Sequence, residues 1–183
     1  WIESHIGKKG ETLSGGSIAT SAFDLACKLG SSPIILVGQD LSYPAGRAYA
    51  EWCYFDQSWL DRVSKYETVN DLHIYRISGD RGLYEKGMFG EEILTSLKMF
   101  SWKRWFETMI NHYGTCCIDS TEDGLEIRGA EMLPLKEAIN KYCLKRVHIK
   151  KIIEKIKSTY RTTDISTFIK HLEDLKTKIA RVG

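Results

Sequence analysis

The residue types with the clearest chemical reach lie in the first third of the chain. Ser14-Gly15-Gly16-Ser17-Ile18-Ala19-Thr20 sets small residues directly before an apolar pattern of helical spacing. Free N–H groups and the positive end of a helix dipole attract an anion at such a junction, and glycine lets a phosphate approach the backbone. Ser14, Gly15, Gly16, Ser17 and Thr20 are therefore candidate binders of a phosphorylated ligand. The alternative is a capped loop-to-helix junction with no ligand, and the run matches neither the P-loop nor the full dinucleotide fingerprint. Further on, Gly38-Gln39-Asp40 follows the apolar run Ile34-Ile35-Leu36-Val37. Ligands of open α/β sheets bind past the carboxyl ends of strands. Gln39 and Asp40 can there hydrogen-bond a ribose, a base or a substrate hydroxyl, or Asp40 can simply cap the next turn. His73 and His112 are of the type that accepts a proton near neutrality, although a lone histidine in a strand or at a helix end also serves packing.

These residues need elements to position them. Ser17 predicts an N-cap for a helix through Ala19, Ala22, Phe23, Ala26 and Leu29, with Gly30 closing it. Ile34 to Val37 reads as a parallel strand covered on both faces. Residues 41–70 read as a long aromatic loop or lid with a short helix near 57–65. The alternation of Leu72 to Ile77 predicts a strand, stopped by Ser78 to Gly82, with a loop to Gly90. From Glu91 a long helix carries Ile93, Leu94, Leu97, Trp102, Trp105, Phe106, Met109, Ile110 and Tyr113 at steps of three and four, and Gly114 ends it. Thr115 to Asp119 and Leu125 to Arg128 read as a hairpin around Asp123-Gly124. Pro134 opens a helix, and two more helical patterns follow, one lined by Ile149, Ile152, Ile153 and Ile156, the other by Ile165, Phe168, Ile169, Leu172, Leu175 and Ile179. With residues 158–164 as connector they predict an αα-hairpin that packs on the domain or a partner.

Composition bounds the whole. With 183 residues, 43% hydrophobic, 27% charged and 3 prolines, the chain is globular and neither disordered nor collagen-like. Its net charge of +2 is uneven: residues 1–140 hold 14 Lys/Arg against 20 Asp/Glu, whereas residues 141–183 hold 12 against 4. That split predicts residues 1–140 as one domain and 141–183 as a basic helical extension, either a solvated face or a dock for an anionic partner. The basic residues Lys145, Arg146, Lys150, Lys151, Lys155 and Lys157 have only Tyr160 as a nearby aromatic, so nucleic acid is not the expected partner. Five cysteines with no CxxC pair predict reduced, mostly buried thiols and no zinc site. No apolar run of membrane-spanning length and no leader is visible, so a cytoplasmic location and no membrane partner are expected. The start at Trp1, without Met, predicts a fragment or a processed product.

The stretch GGSIATSAFDLACKLGSSPIILVGQDLSY, residues 15–43, resembles the motility accessory factor and MptE-like Rossmann proteins (the DUF115 group). These show a Gly-Gly-Ser-Val-Ala start, a helix with Asp-Leu-Ala and a strand ending Gly-Gln-Asp-Leu. A second block, IDSTEDGLEIRGAEMLPLKEAI at residues 118–139, resembles the same family's Thr-Glu-Gly-Gly, Ile-x-Gly and Leu-x-Glu-Ala pattern, with Asp123 in place of the family's glycine after Glu122. Residues 15–43 are also similar to bacterial sialyltransferases, in which two tyrosines six residues apart follow the strand, as Tyr43 and Tyr49 do. The family's domain begins with an upstream strand and a Gly-Pro-Ser turn that do not occur before residue 13, so the chain is expected to be the later part of a larger domain.

The resemblance implies an α/β Rossmann-like (sialyltransferase-like) domain with a mostly parallel sheet, incomplete at its N-terminus. It implies a glycosyltransferase that moves a nonulosonic sugar from a CMP-sugar donor to Ser/Thr of a protein acceptor such as flagellin, with no covalently bound cofactor and no metal. Tyr43 and Tyr49 would hydrogen-bond the departing CMP phosphate, Thr121 would bind the donor, and Glu122 would bind the donor or serve as base, a role for which His73 and His112 are candidates by residue type alone. The pterin branch of the family implies instead a 6-hydroxymethylpterin diphosphokinase that uses ATP with Mg²⁺, Asp40 and Glu122 meeting the metal and Arg47 and Arg81 the phosphates. A third expectation is a non-catalytic binding module, and the C-terminal helices could form a homo-oligomer. Gly16→Val is expected to abolish nucleotide binding and leave the fold intact.

Overall fold

The computed structural model describes residues 3–4, 7–8, 10–144, 147–159 and 165–180. The chain divides into two compact units, Thr12–Leu144 and Trp1–Glu11 with Lys145–Gly183, so the charge boundary near residue 140 falls inside a helix of the first unit. In chain order the first unit runs α1 (Ile18–Lys28), β1 (Ile34–Leu36), a 3₁₀ turn at Pro44–Gly46, α2 (Tyr54–Trp59), a second 3₁₀ turn at Leu60–Arg62 and α3 (Val69–Ser78). It continues through β2 (Gly82–Lys86), β3 (Glu92–Ser96), α4 (Leu97–Tyr113), β4 (Cys117–Asp119), β5 (Ala130–Met132) and α5 (Leu135–Tyr142). The second unit holds α6 (Ile149–Thr159) and α7 (Ser166–Ala180).

The architecture is mixed α/β. Strands β1, β4 and β5 form a parallel sheet in that order, with Ile35 opposite Ile118 and Ile118 opposite Glu131. All three residues of the central strand β4 are buried, as a strand flanked on both sides must be. Against this sheet α1 and α4 meet through an aromatic cluster in which Phe23 stands edge-on to Phe106 at 5.5 Å and to Trp105 at 6.1 Å. Leu36, Ile110, Cys117, Leu125 and Ile127 complete the core. Burying each large apolar side chain contributes about 1.5–3 kcal/mol, so this cluster anchors the unit. Asp24, fully buried on α1, ties the packing together: it accepts from Leu13 N at 2.8 Å and Tyr113 Oη at 2.5 Å, and pairs with Lys28 Nζ at 2.8 Å.

The helix capped by Ser17, the strand after Pro33, the Gly114 terminus and the helix after Pro134 stand where the sequence puts them. Four expectations change. Leu72 to Ile77 are helical, not extended, because Thr68 and Asp71 form a reciprocal capping box that starts α3 and Leu72 and His73 turn inward together. Residues 82–96 are no loop and helix start but the antiparallel hairpin β2–β3, after which Ser96 caps α4 by accepting from Met99 N. Residues 125–128 do not pair with β4; β5 lies further on and runs parallel to it, while Leu125 makes an isolated bridge to Gly87. The short helix of the lid begins at Tyr54 rather than near residue 57. In the second unit the predicted helical patterns are both helices, whereas Lys145, Arg146, Tyr160 and residues 161–164 of the connector lie outside the described residues.

Candidate functional site

Past the carboxyl end of β1 the chain opens into a cavity of about 680 Å³. Three segments converge on it: the N-terminus of α1 with Ser17, Ile18 and Ala19, the strand exit Gly38 to Ser42, and the lid from Pro44 to Glu51, with Trp102 of α4 as a wall. Sequence forces explain the convergence. The strand exit is pinned on one side by the loop after β4, where Gln39 N donates to Thr121 Oγ1 at 3.0 Å and Leu125 N to Asp40 O at 2.8 Å. On the other side β3 holds it, Thr95 Oγ1 donating to Leu41 O at 2.6 Å and Tyr43 N to Leu94 O at 3.0 Å. Gly124 is required for this, since a Cβ there would stand 2.3 Å from Asp40 O.

The Gly-Gly turn does not present its own amides. Gly15 N and Ser17 N both donate to Thr20 Oγ1, at 2.9 and 3.3 Å, and Gly16 N donates to Ser14 Oγ at 3.2 Å. Thr20 is completely buried and passes its proton to Ser17 O at 2.6 Å. Ser14, Gly15, Gly16 and Thr20 therefore build the turn, and the donors that remain without an acceptor among the described residues are the next two amides, Ile18 N and Ala19 N. Gly15 lies under the indole of Trp105, where a Cβ would meet ring carbons at 2.6 Å. Gly16 has φ +90°, so Gly16→Val strains the backbone and is no clean test of ligand binding.

Within the cavity two polar groups lack partners. Ser42 is 7% exposed and its hydroxyl has no hydrogen bond among the described residues. Arg47 pairs with Asp56 at 3.0 Å and Glu51 at 3.6 Å, but its buried Nε is unbonded. Buried polar groups are nearly always satisfied, so the Ser42 hydroxyl, whose oxygen lies beneath the cavity surface, is left with a bond that the described residues do not complete. The only non-glycine residues with positive φ among those described, Leu41, Ala45 and Trp52 at 50 to 61°, all fall in this stretch. Each such conformation costs about 1–3 kcal/mol and clusters at functional sites.

Of the residues singled out from sequence, Ser17, Gln39, Asp40 and Tyr49 line this cavity. Burial first, and then the charges of Asp123 and Asp119, push the Asp40 carboxyl above the ordinary carboxylate range. Tyr49 stacks on Phe55 at 4.2 Å and accepts from Arg76 Nε at 3.1 Å. Tyr43 is elsewhere: buried, donating to Asp80 Oδ2 at 2.5 Å, its phenol pushed up to about 12 by burial and by that carboxylate. His73 is also absent from the cavity. Its Nδ1 accepts from Ala48 N at 3.2 Å, which leaves the ring proton on Nε2, 3.2 Å from Asp56 Oδ1 at an angle poor for a hydrogen bond. It braces the lid from beneath, edge-on to Trp59. Thr121 supports Gln39 from behind, and Glu122 is exposed on an adjoining depression of about 360 Å³ that shares Gly38 and Asp40 with the larger cavity. His112 packs edge-on to Tyr113 at the end of α4, remote from these linings. Among the described residues no group of three or more His, Cys, Asp or Glu side chains is arranged to hold a metal ion.

Sequence reasoning missed Ser42 altogether and assigned Arg47 only under the ATP-dependent reading. The signal for Ser42 was its place two residues past a strand exit that ends in Gly-Gln-Asp, where a small hydroxyl can face a ligand. Fold and site together define an α/β protein with an open cavity at the carboxyl edge of a parallel sheet. No family model, no curated protein and no solved structure matches the chain. Among the described residues no helix is long and apolar enough to cross a membrane.

Proposed function

We propose that the cavity binds the phosphate-bearing half of a nucleotide-activated sugar, and that the chain is a Rossmann-like glycosyltransferase of the motility accessory factor type using a CMP-linked nonulosonic donor. The observation that carries the reading is the meeting of the free Ile18 and Ala19 amides and the Arg47 side chain around one cavity, with the unpartnered Ser42 hydroxyl beneath its wall. A helix N-terminus with a guanidinium beside it suits a phosphate. Gln39 would meet the ribose hydroxyls, since ligands of parallel sheets bind at this edge. The choice of CMP rests on the resemblance of residues 15–43 and 118–139.

In the reaction the acceptor Ser/Thr oxygen attacks the anomeric carbon, the bond to the phosphate oxygen breaks, and CMP leaves with the electron pair. Tyr49, the tyrosine that lines the cavity, stabilises the charge developing on that phosphate. The acceptor proton passes to a carboxylate, and Asp40 suits the task better than His73, because it reaches both depressions and its raised proton affinity moves it toward the working range of a base. Calorimetric titration with CMP and with ATP, each with and without Mg²⁺, tests the reading. CMP binding without metal is expected. Binding of ATP only with Mg²⁺ would favour diphosphate transfer to a pterin, and binding of neither would overturn nucleotide recognition.

A further inference from the structure

In α6 the isoleucines 149, 152, 153 and 156 lie within about 100° of arc on the helix, and all are 45–63% exposed. Lys150 and Lys157 fall on one shoulder of that stripe and Lys155 on the other, with Lys151 and Glu154 near the opposite pole. The aliphatic repeat recurs in α7, where Ile169, Leu172, Leu175 and Ile179 stand at steps of three and four and are likewise exposed, with Lys170, Lys176 and Lys178 set against Glu173 and Asp174, so the cationic flanks belong to α6. Among the described residues neither helix buries a side chain. An aliphatic stripe left in water over two helices is costly, so something covers it.

We infer that α6 and α7 form a docking surface for an anionic phospholipid bilayer, lying in the headgroup plane without crossing it. Charge and shape select this occupant. Cations on both shoulders of a narrow aliphatic stripe match the boundary between acyl chains and acidic headgroups, where lysine stems lie along the apolar layer and their ammonium groups reach outward. The same lysines would confront each other across a pair of identical helices, which disfavours a second copy. A nucleic acid would call for aromatic stacking partners, and α6 has none while α7 has only the half-buried Phe168. This surface differs from the sequence expectation of no membrane partner and is independent of the nucleotide cavity.

Flotation of the full chain with phosphatidylcholine vesicles, with and without phosphatidylglycerol as about one third of the lipid, tests the inference. The chain is expected to float only with the anionic vesicles and to be released as salt is raised. Lys150→Gln with Lys155→Gln should weaken partitioning about fivefold per lysine. Ile152→Asp with Ile156→Asp should abolish it while the cooperative melting transition stays in place, since these side chains are already exposed. Absence of flotation, equal binding to neutral vesicles, tighter binding to single-stranded RNA than to anionic vesicles, or a dimer in sedimentation velocity that Ile152→Asp with Ile156→Asp dissolves would each overturn it.

Discussion

Ser42 and Ala45 stand three residues apart on the cavity wall, and both carry a cost that the folded chain alone does not recover. A buried hydroxyl without a partner forfeits about 1–3 kcal/mol of hydration, and Ala45 at φ 50° sits in the left-handed region that glycine tolerates better. Binding sites commonly trade stability in this way. Ser42→Ala is therefore expected to leave the melting temperature unchanged or raise it, since the orphaned group disappears, while CMP affinity falls about tenfold, the loss of one hydrogen bond to a charged oxygen. Calorimetry beside thermal melting reads both numbers. A variant that melts lower and binds CMP as before would show that Ser42 serves the core and not a ligand.

Asp24 acts on the scale of elements, because its carboxylate, paired with Lys28 at the end of its own helix α1, joins the segment before that helix, through Leu13, to the end of α4, through Tyr113. Burial pushes its carboxyl up, but the hydrogen bonds from Lys28, Tyr113 and Leu13 outweigh that and hold it below the ordinary range. An acid whose folded value is depressed contributes stability that is fully present above its unfolded value and is lost as pH falls through the folded one. Asp24→Asn should therefore destabilise by about 2–3 kcal/mol at neutral pH, and the difference from the unsubstituted chain should shrink below about pH 4. Thermal melts across that range measure it; a cost that did not change with pH would mean that packing, not the charge, matters at Asp24.

Elements also show what the sequence could express. The junction at Ser17, the strand after Pro33 and the Gly114 stop were legible because each follows from a residue with one strong local preference. The segment from Thr68 to Gly79 was not, because Ile74, Tyr75 and Ile77 are strand-favouring types and the alternation from Leu72 to Ile77 outweighed the Thr68–Asp71 capping signal. At β5 the Asp123-Gly124 pair looked like a hairpin turn. Gly124 is instead needed where the loop presses on the backbone of Asp40, a long-range contact that no local pattern records. The site divides in the same way. The strand exit at Gln39 and Asp40 was legible from position, but Thr20 consumes the amides of the Gly-Gly turn, and only the folded arrangement shows that the donors moved on to Ile18 and Ala19.

At the scale of the molecule, charge and chemistry segregate together. Residues 12–144 hold 13 Lys/Arg against 18 Asp/Glu, and residues 145–183 hold 11 against 4. The sheet, the aromatic cluster of Phe23, Trp105 and Phe106, and every residue lining the main cavity belong to the acidic unit. The exposed aliphatic stripe belongs to the basic one. A unit that owns its complete core can fold alone, so a chain restricted to Thr12–Leu144 should melt cooperatively within about 4 °C of the full protein, a shift no larger than ~1 kcal/mol would give. It should bind CMP as the full chain does and no longer float with anionic vesicles. Loss of cooperative melting would show that the helical unit supports the α/β fold. Retained vesicle binding would return the lipid-facing surface to the acidic unit, where its net negative charge argues against it.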